Sequence, residues 1–193
     1  MNYQRSFNLR NLNPIIVILA INVLVFFAVR LFPDLIGYLG LWGRPLFVER
    51  PWGLITSVFT HYDLFHLFAN MFTLYFFGNY VLRLVGVKKF ALIYLAGGML
   101  GGAFFVLLAP YSLAIGASGA VFALGGALAI LVPNTKVIIF PIPIPMPLWV
   151  AVIGGFIILS FMSGVAWQAH LGGLLAGLVA GLIFKQTSRN YYF

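Results

Sequence analysis

Gly116-Ala117-Ser118-Gly119 opens an apolar run, Ala120 to Val132, that reads as a membrane-buried helix. A serine between two glycines at such a helix start has two readings. The glycines let the backbone turn tightly and let another chain approach, and small residues are common where transmembrane helices pack. Alternatively the serine is catalytic, since the free N–H groups of the first helical turn would surround it with donors. The rest of the chain decides between them.

The chain has 193 residues, of which 63% are hydrophobic and 7% charged, with mean hydropathy +1.07. Such a composition belongs to membrane helices and leaves little for a separate soluble domain. There is no cysteine, which excludes disulfides, thiolate metal sites and cysteine nucleophiles. The first apolar run has no small-residue cleavage site followed by a polar domain, so it reads as a retained span rather than a signal peptide.

Six spans follow from the apolar runs, giving an all-α polytopic membrane protein. Residues 1–13 form a basic tail carrying Arg5 and Arg10. Asn13-Pro14 is a capping side chain followed by proline at the first helical position, and the first span covers residues 14–32. Asn22 within it reads as a helix–helix hydrogen bond. Asp34 to Trp52 mixes Tyr38, Trp42 and Trp52 with Arg44, Glu49 and Arg50, which suits a loop lying in the membrane interface with short helical pieces. The next spans cover residues 64–82, 90–108, 118–132, 148–162 and 167–184. The fourth is short and rich in small residues, as expected of a central helix contacted on all sides. Pro141, Pro143, Pro145 and Pro147 cannot continue a helix. Residues 14–185 thus form one membrane domain, and 186–193 a second short tail.

Charge sets the orientation. With the N-terminus inside, Arg5, Arg10, Arg83, Lys88, Lys89, Lys136, Lys185 and Arg189 fall on the inner side. Arg30, Arg44, Arg50 and all three acids, Asp34, Glu49 and Asp63, fall outside. This positive-inside bias predicts a multi-pass cell-membrane protein with both termini cytoplasmic. Anionic lipid headgroups account for the net charge of +8, so nucleic acid is not needed as a partner.

Polar groups inside a bilayer are functional candidates by default. At about 1.5 Å per residue, Ser118 and His170 each stand roughly 22 Å above the inner surface, Asn70 about 20 Å and His66 about 26 Å. Three helices therefore bring four polar groups to one layer in the outer half. His66 and Asn70 share a helix face. Gly173, Gly177 and Gly181 lie on the face of His170, a small-residue stripe suited to close packing against the fourth span. That packing would bring an imidazole to the serine oxygen, where it can act as general base. The Asn70 amide, the His66 ring and the Ser118 N–H are candidate donors for an oxyanion. No carboxylate lies at this depth, so the expectation is a Ser118–His170 dyad. His61 reads as an interfacial or loop-structuring group.

On these residues the chain resembles the rhomboid family of intramembrane serine proteases. The matching pieces are His66-x-x-x-Asn70, Gly116-Ala117-Ser118-Gly119, and Ala169-His170-Leu171-Gly172-Gly173 with the glycines that follow. The resemblance covers roughly Pro14 to Lys185. It implies Ser118 as nucleophile, His170 as general base, and an oxyanion site of His66, Asn70 and the Ser118 N–H. Gly116, Gly119, Phe122, Gly173 and Gly177 would support and pack the site. It further implies a membrane-lying first loop, and a gate formed by the fifth span and the Ser163–Ala166 link. Substrates would be transmembrane helices that unwind easily, cut near the outer surface beside a small residue. No metal or organic cofactor is implied. Two departures stand out. Trp52-Gly53 occupies the place where many members carry Trp-Arg, and Phe122 replaces a tyrosine found in some members.

Three other readings remain at this point. A binding or quality-control protein of the same fold would not need Ser118. A transporter or channel fits poorly, because no acid lies within any span. A metalloprotease with His61, His66 and His170 as zinc ligands lacks a carboxylate base.

Overall fold

A computed structural model describes residues 13–139 and 142–188. The expected basic tail with Arg5 and Arg10, Pro141, and the end of the second tail with Arg189 lie outside the described residues. Helix α1 spans Pro14–Leu31. Asn13 caps it, its side-chain oxygen accepting from the Ile15 N–H at 2.9 Å, with proline at the first helical position. The first loop then folds into α2 (Leu35–Leu39), β1 (Leu41–Trp42), α3 (Gly53–Thr56) and a 3-10 turn over Ser57–Phe59.

Helix α4 runs Leu64–Leu108, starting at an Asp63 cap whose carboxylate accepts from the His66 N–H at 2.7 Å. Two spans separated by a basic link were expected here. Two helical limbs are what the structure shows, but they adjoin directly: the only non-helical residue between them is Gly86, where φ is 79° and ψ 171°. A straight helix of 45 residues would be about 68 Å long, over twice the hydrocarbon thickness. The left-handed kink, open to glycine alone at little cost, folds the second limb back. Gly78 of the first limb accordingly packs beside Phe90 of the second.

Strand β2 (Leu113–Ala114) leads into α5 (Ser118–Leu131), followed by β3 (Lys136–Ile139), β4 (Ile142–Pro147), α6 (Leu148–Ser160) and α7 (Trp167–Ser188). The described residues are mostly helical, as expected, with two short antiparallel pairs added. β1 pairs antiparallel with β2, Leu41 opposite Ala114 and Trp42 opposite Leu113. β3 and β4 form a second antiparallel pair, with Val137 opposite Met146. Alternating prolines exclude helix but suit an edge strand: they remove every second N–H, which leaves the outer edge of β4 poor in donors for another strand. Helix ends also shift. α6 stops at Ser160 rather than 162, and α7 continues through Ser188, so residues 186–188 are helix rather than tail.

By length and apolar composition, α1, α4 and α7 are the helices able to cross a membrane, and α5 and α6 are shorter. Helix α5 is the centre. Gly119, Ala120, Val121 and every residue from Ala123 to Ala129 are buried. A Cβ added at Gly177 would collide with the Ala123 backbone, and one at Gly173 with the Gly119 backbone. These close approaches set α7 directly against α5. On the far side, Asn22 and Tyr94 are wholly buried and face each other between α1 and the second limb of α4. The Asn22 amide also donates to the Ile18 carbonyl at 2.8 Å. The hydrogen bond of Asn22 thus lies within α1 rather than between helices as expected, and its Oδ1 is buried without a partner.

The first loop is tied down by side chains donating to its own carbonyls. The Trp42 indole and the Arg50 guanidinium both donate to Gly37 O, at 2.7 and 3.0 Å. The Trp52 indole donates to Tyr38 O at 2.8 Å, and the Thr56 hydroxyl to Leu39 O at 2.6 Å. The Trp52-Gly53 departure has a steric reason. A Cβ on residue 53 would sit 2.6 Å from the Gly40 carbonyl oxygen and 3.0 Å from the Leu41 Cα.

The packing predicts contrasting effects at two glycines. Gly177→Ala, which overpacks the α5–α7 contact, should destabilise the protein by about 1–3 kcal/mol. Gly154→Ala on α6, where a Cβ meets nothing within 4 Å, should be neutral or stabilising by up to about 1 kcal/mol. Thermal unfolding in one detergent checks both.

Candidate active site

The site is built where α5 begins. β2 holds the preceding strand to β1, and the Gly43 N–H donates to Ser112 O at 2.9 Å. The chain then turns at Gly116, whose φ is 120°. A Cβ there would be strained, and it would lie 2.6 Å from His66 Nε2. The Gly116 N–H donates to Ser57 O at 2.9 Å, and the Ala117 N–H to His61 Nε2 at 3.4 Å. Ser118 follows as the first residue of α5.

His170 stands in the first turn of α7, 5% exposed, with its Nε2 2.7 Å from the Ser118 hydroxyl oxygen. Three contacts set this distance. Gly173 lies on Gly119, the Ala169 carbonyl lies on Gly101 and Gly119, and the Phe122 ring lies tilted on the imidazole at 4.6 Å between centroids. Phe122 in turn meets Phe156 of α6 edge-on at 6.0 Å. The phenyl ring therefore stacks on His170 without the hydroxyl that a tyrosine would add. His170 Nδ1 is buried with no hydrogen-bond partner. When the serine O–H donates to Nε2, the neutral ring carries its proton on that unpartnered Nδ1. No carboxylate completes a triad, and Asp63 is engaged in capping α4.

His66 reaches the serine loop through its contact with Gly116. Asn70 lies one turn further along α4, 7% exposed, and its amide donates to the His66 carbonyl at 2.9 Å. One amide hydrogen is thus spent inside the helix, and the other remains to donate. A cavity of about 20 Å³ adjoins Ser118, lined by Ser57, Gly98, Ile115, Gly116 and Ala166 among others. It has room for one water molecule or a methyl group. Among the described residues, no three His, Asp or Glu side chains gather into a possible metal site, so the three histidines do not form a zinc set.

Of the two readings of His61, interfacial or loop-structuring, the structure favours the second. It is wholly buried rather than interfacial, and its ring meets His66 edge-on at 5.0 Å. Burial, reinforced by the neighbouring His66, pushes its pKa down to about 3, so the ring is neutral at physiological pH. Sequence reasoning missed its partner because the Ala117 N–H lies 56 residues away and carries no residue-type signal.

Residues 48–187 match the Rhomboid domain family. The chain is 30% identical over 155 residues to Rhomboid protein 1, mitochondrial, of Saccharomyces cerevisiae, covering 70% of this chain and 42% of that protein. It is 34% identical over 131 residues to rhomboid protease GluP of Bacillus subtilis, covering 67% of this chain and 25% of GluP. It is 34% identical over 149 residues to RHOMBOID-like protein 12, mitochondrial, of Arabidopsis thaliana, covering 66% and 44% respectively. The chain thus spans less than half the length of each of these relatives. By the family match over most of its length, this chain belongs to the rhomboid family of multi-pass membrane proteins, most of which are intramembrane serine proteases.

Proposed function

We propose that this chain is an intramembrane serine protease that hydrolyses peptide bonds of transmembrane substrates with a Ser118–His170 dyad. The observation that carries the reading is the 2.7 Å contact between Ser118 Oγ and His170 Nε2 at the buried start of α5. The Ser118 oxygen attacks the scissile carbonyl while its proton passes to His170 Nε2. The resulting oxyanion is held by the Ser118 N–H, the His66 ring and the Asn70 amide. His170 then returns the proton to the leaving amine as the C–N bond breaks, leaving an acyl-serine. A water molecule, deprotonated by the same imidazole, releases the new carboxyl terminus and restores the serine.

The membrane arrangement belongs to the same proposal. Six spans arise from α1, the two limbs of α4, α5, α6 and α7. The 14 residues of α5 cover about 21 Å, less than the roughly 30 Å hydrocarbon core, so Ser118 is sunken below the outer surface. Arg83, Lys88, Lys89, Lys136 and Lys185 lie at the opposite, cytoplasmic ends, together with both termini. Residues 14–185 form the membrane domain, surrounded by the lipid bilayer, with the first loop resting in the interface. Helix α6 and residues 163–166 admit the substrate. In support, α6 buries only Leu148, Ala151 and Val152, all near its start, while Phe161 at its end is 87% exposed. The small cavity beside Ser118 suits a small side chain at the cut.

Purified protein in detergent should cleave a generic transmembrane substrate without any effect of chelator. Ser118→Ala and His170→Ala should each lower kcat by about 10⁴-fold or more. Cleavage that survives Ser118→Ala would sink the assignment. A wild type that retains substrate without cutting it would favour the binding protein instead.

The cavity gives a second expectation. Replacing alanine by phenylalanine before the scissile bond should lower kcat/KM by at least about 10-fold, because a phenyl ring overfills a space suited to a methyl group. Equal rates for the two substrates would remove the cavity from the specificity argument.

A further inference from the structure

The segment Ser57–His61 touches the serine loop at two successive peptides. Ser57 O accepts from Gly116, and His61 Nε2 accepts from Ala117. A carbonyl is present at every residue, but a buried side-chain acceptor aimed at a peptide N–H is specific to His61. The ring has no exposure, and Ala117 has none either. Water therefore has no access to replace the bond.

The tautomer follows from the geometry. Nε2 accepts, so the neutral ring carries its proton on Nδ1, which is buried without a hydrogen-bond partner. His66 closes the other side. It meets His61 edge-on, and its Nε2 abuts Gly116. One imidazole bonds the loop and the other blocks it.

We propose that His61 is a positioning residue: its bond to the Ala117 N–H fixes the peptide before the nucleophile and so aims the Ser118 N–H at the oxyanion. The inference rests on the serine-protease reading for its catalytic consequence, but not for the bond itself. Ala117 has φ −74° and ψ −3°, which orients the following N–H along the start of α5. Without an acceptor at residue 61, the N–H of the Gly116–Ala117 peptide loses its partner, and the nearest tie is Ser57 O on the preceding peptide, across a glycine with wide rotational freedom. Supporting groups of this kind typically change rates by about 10–100-fold when removed.

The test compares His61→Phe, which keeps a ring but no acceptor, with His61→Gln, whose Oε1 can take the place of Nε2. Full-length protein in detergent is followed by hydrogen exchange of the peptide covering residues 113–121 and by cleavage kinetics. Thermal unfolding establishes that each variant is folded. The expected result is faster exchange around Ala117 in His61→Phe, with kcat lowered at least about 10-fold and KM within about twofold. His61→Gln should restore most of both. Unchanged exchange in His61→Phe overturns the proposal, as does faster exchange with unchanged kcat. If His61→Phe does not fold, His61→Gln decides alone: wild-type exchange and near wild-type kcat support the bond, and fast exchange in a folded His61→Gln overturns it. An inactive wild type whose His61→Phe variant still exchanges faster keeps the loop-fixing role and removes the protease reading.

Discussion

The close approach of α7 to α5 is the constraint on which the site depends. Gly173 lies against the Gly119 backbone and Gly177 against the Ala123 backbone. Within a bilayer, lipid competes for apolar surface, so helices associate through tight packing of small residues and hydrogen bonds rather than through a hydrophobic driving force. Backbone-to-backbone contact fixes helix separation more sharply than long side chains can. The 2.7 Å Ser118–His170 contact is the chemical consequence of that separation. Phe122 then limits how the imidazole tilts.

The serine end is fixed by a different device. No side chain of the Gly116–Ala117 turn can hold it, because neither residue has a polar one. Its backbone N–H groups are therefore satisfied from outside, by Ser57 O and His61 Nε2. The strand before the turn is held by β1 of the first loop. That loop is itself closed by indole, guanidinium and hydroxyl donors to its own carbonyls. Its order thus reaches Ser118 through a chain of backbone pairs. Gly53 belongs to this chain, since its lack of a side chain lets α3 sit on Gly40 and Leu41.

Packing is uneven across the fold. α5 is buried along most of its length, whereas α6 is buried only near its start. Gly154 and Gly155 on α6 have open space where a Cβ would be. The fold thus combines a centre enclosed by other helices with a loosely held neighbour. The same asymmetry places Phe156 as the contact through which α6 meets Phe122 and, behind it, His170.

The sequence by itself determined the apolar helices, their approximate limits, and the polar residues that gather at the start of α5. Helical periodicity and depth counting were enough to bring Ser118, His170, His66 and Asn70 to one layer, because rise per residue is nearly constant. The small residues of α5 announced a central helix, and the glycines after His170 announced its partner, because only small residues permit such contact. Tertiary structure alone decided three things. The two limbs of α4 meet at Gly86 with no intervening loop, since one glycine at positive φ is enough to turn the chain. The proline-rich stretch pairs as a strand because β3 lies antiparallel beside it, a partner that no residue pattern announces. His61 became a buried acceptor for Ala117 because a backbone N–H is the same in every residue type except proline. No pattern of side chains can reveal which one a distant imidazole will meet.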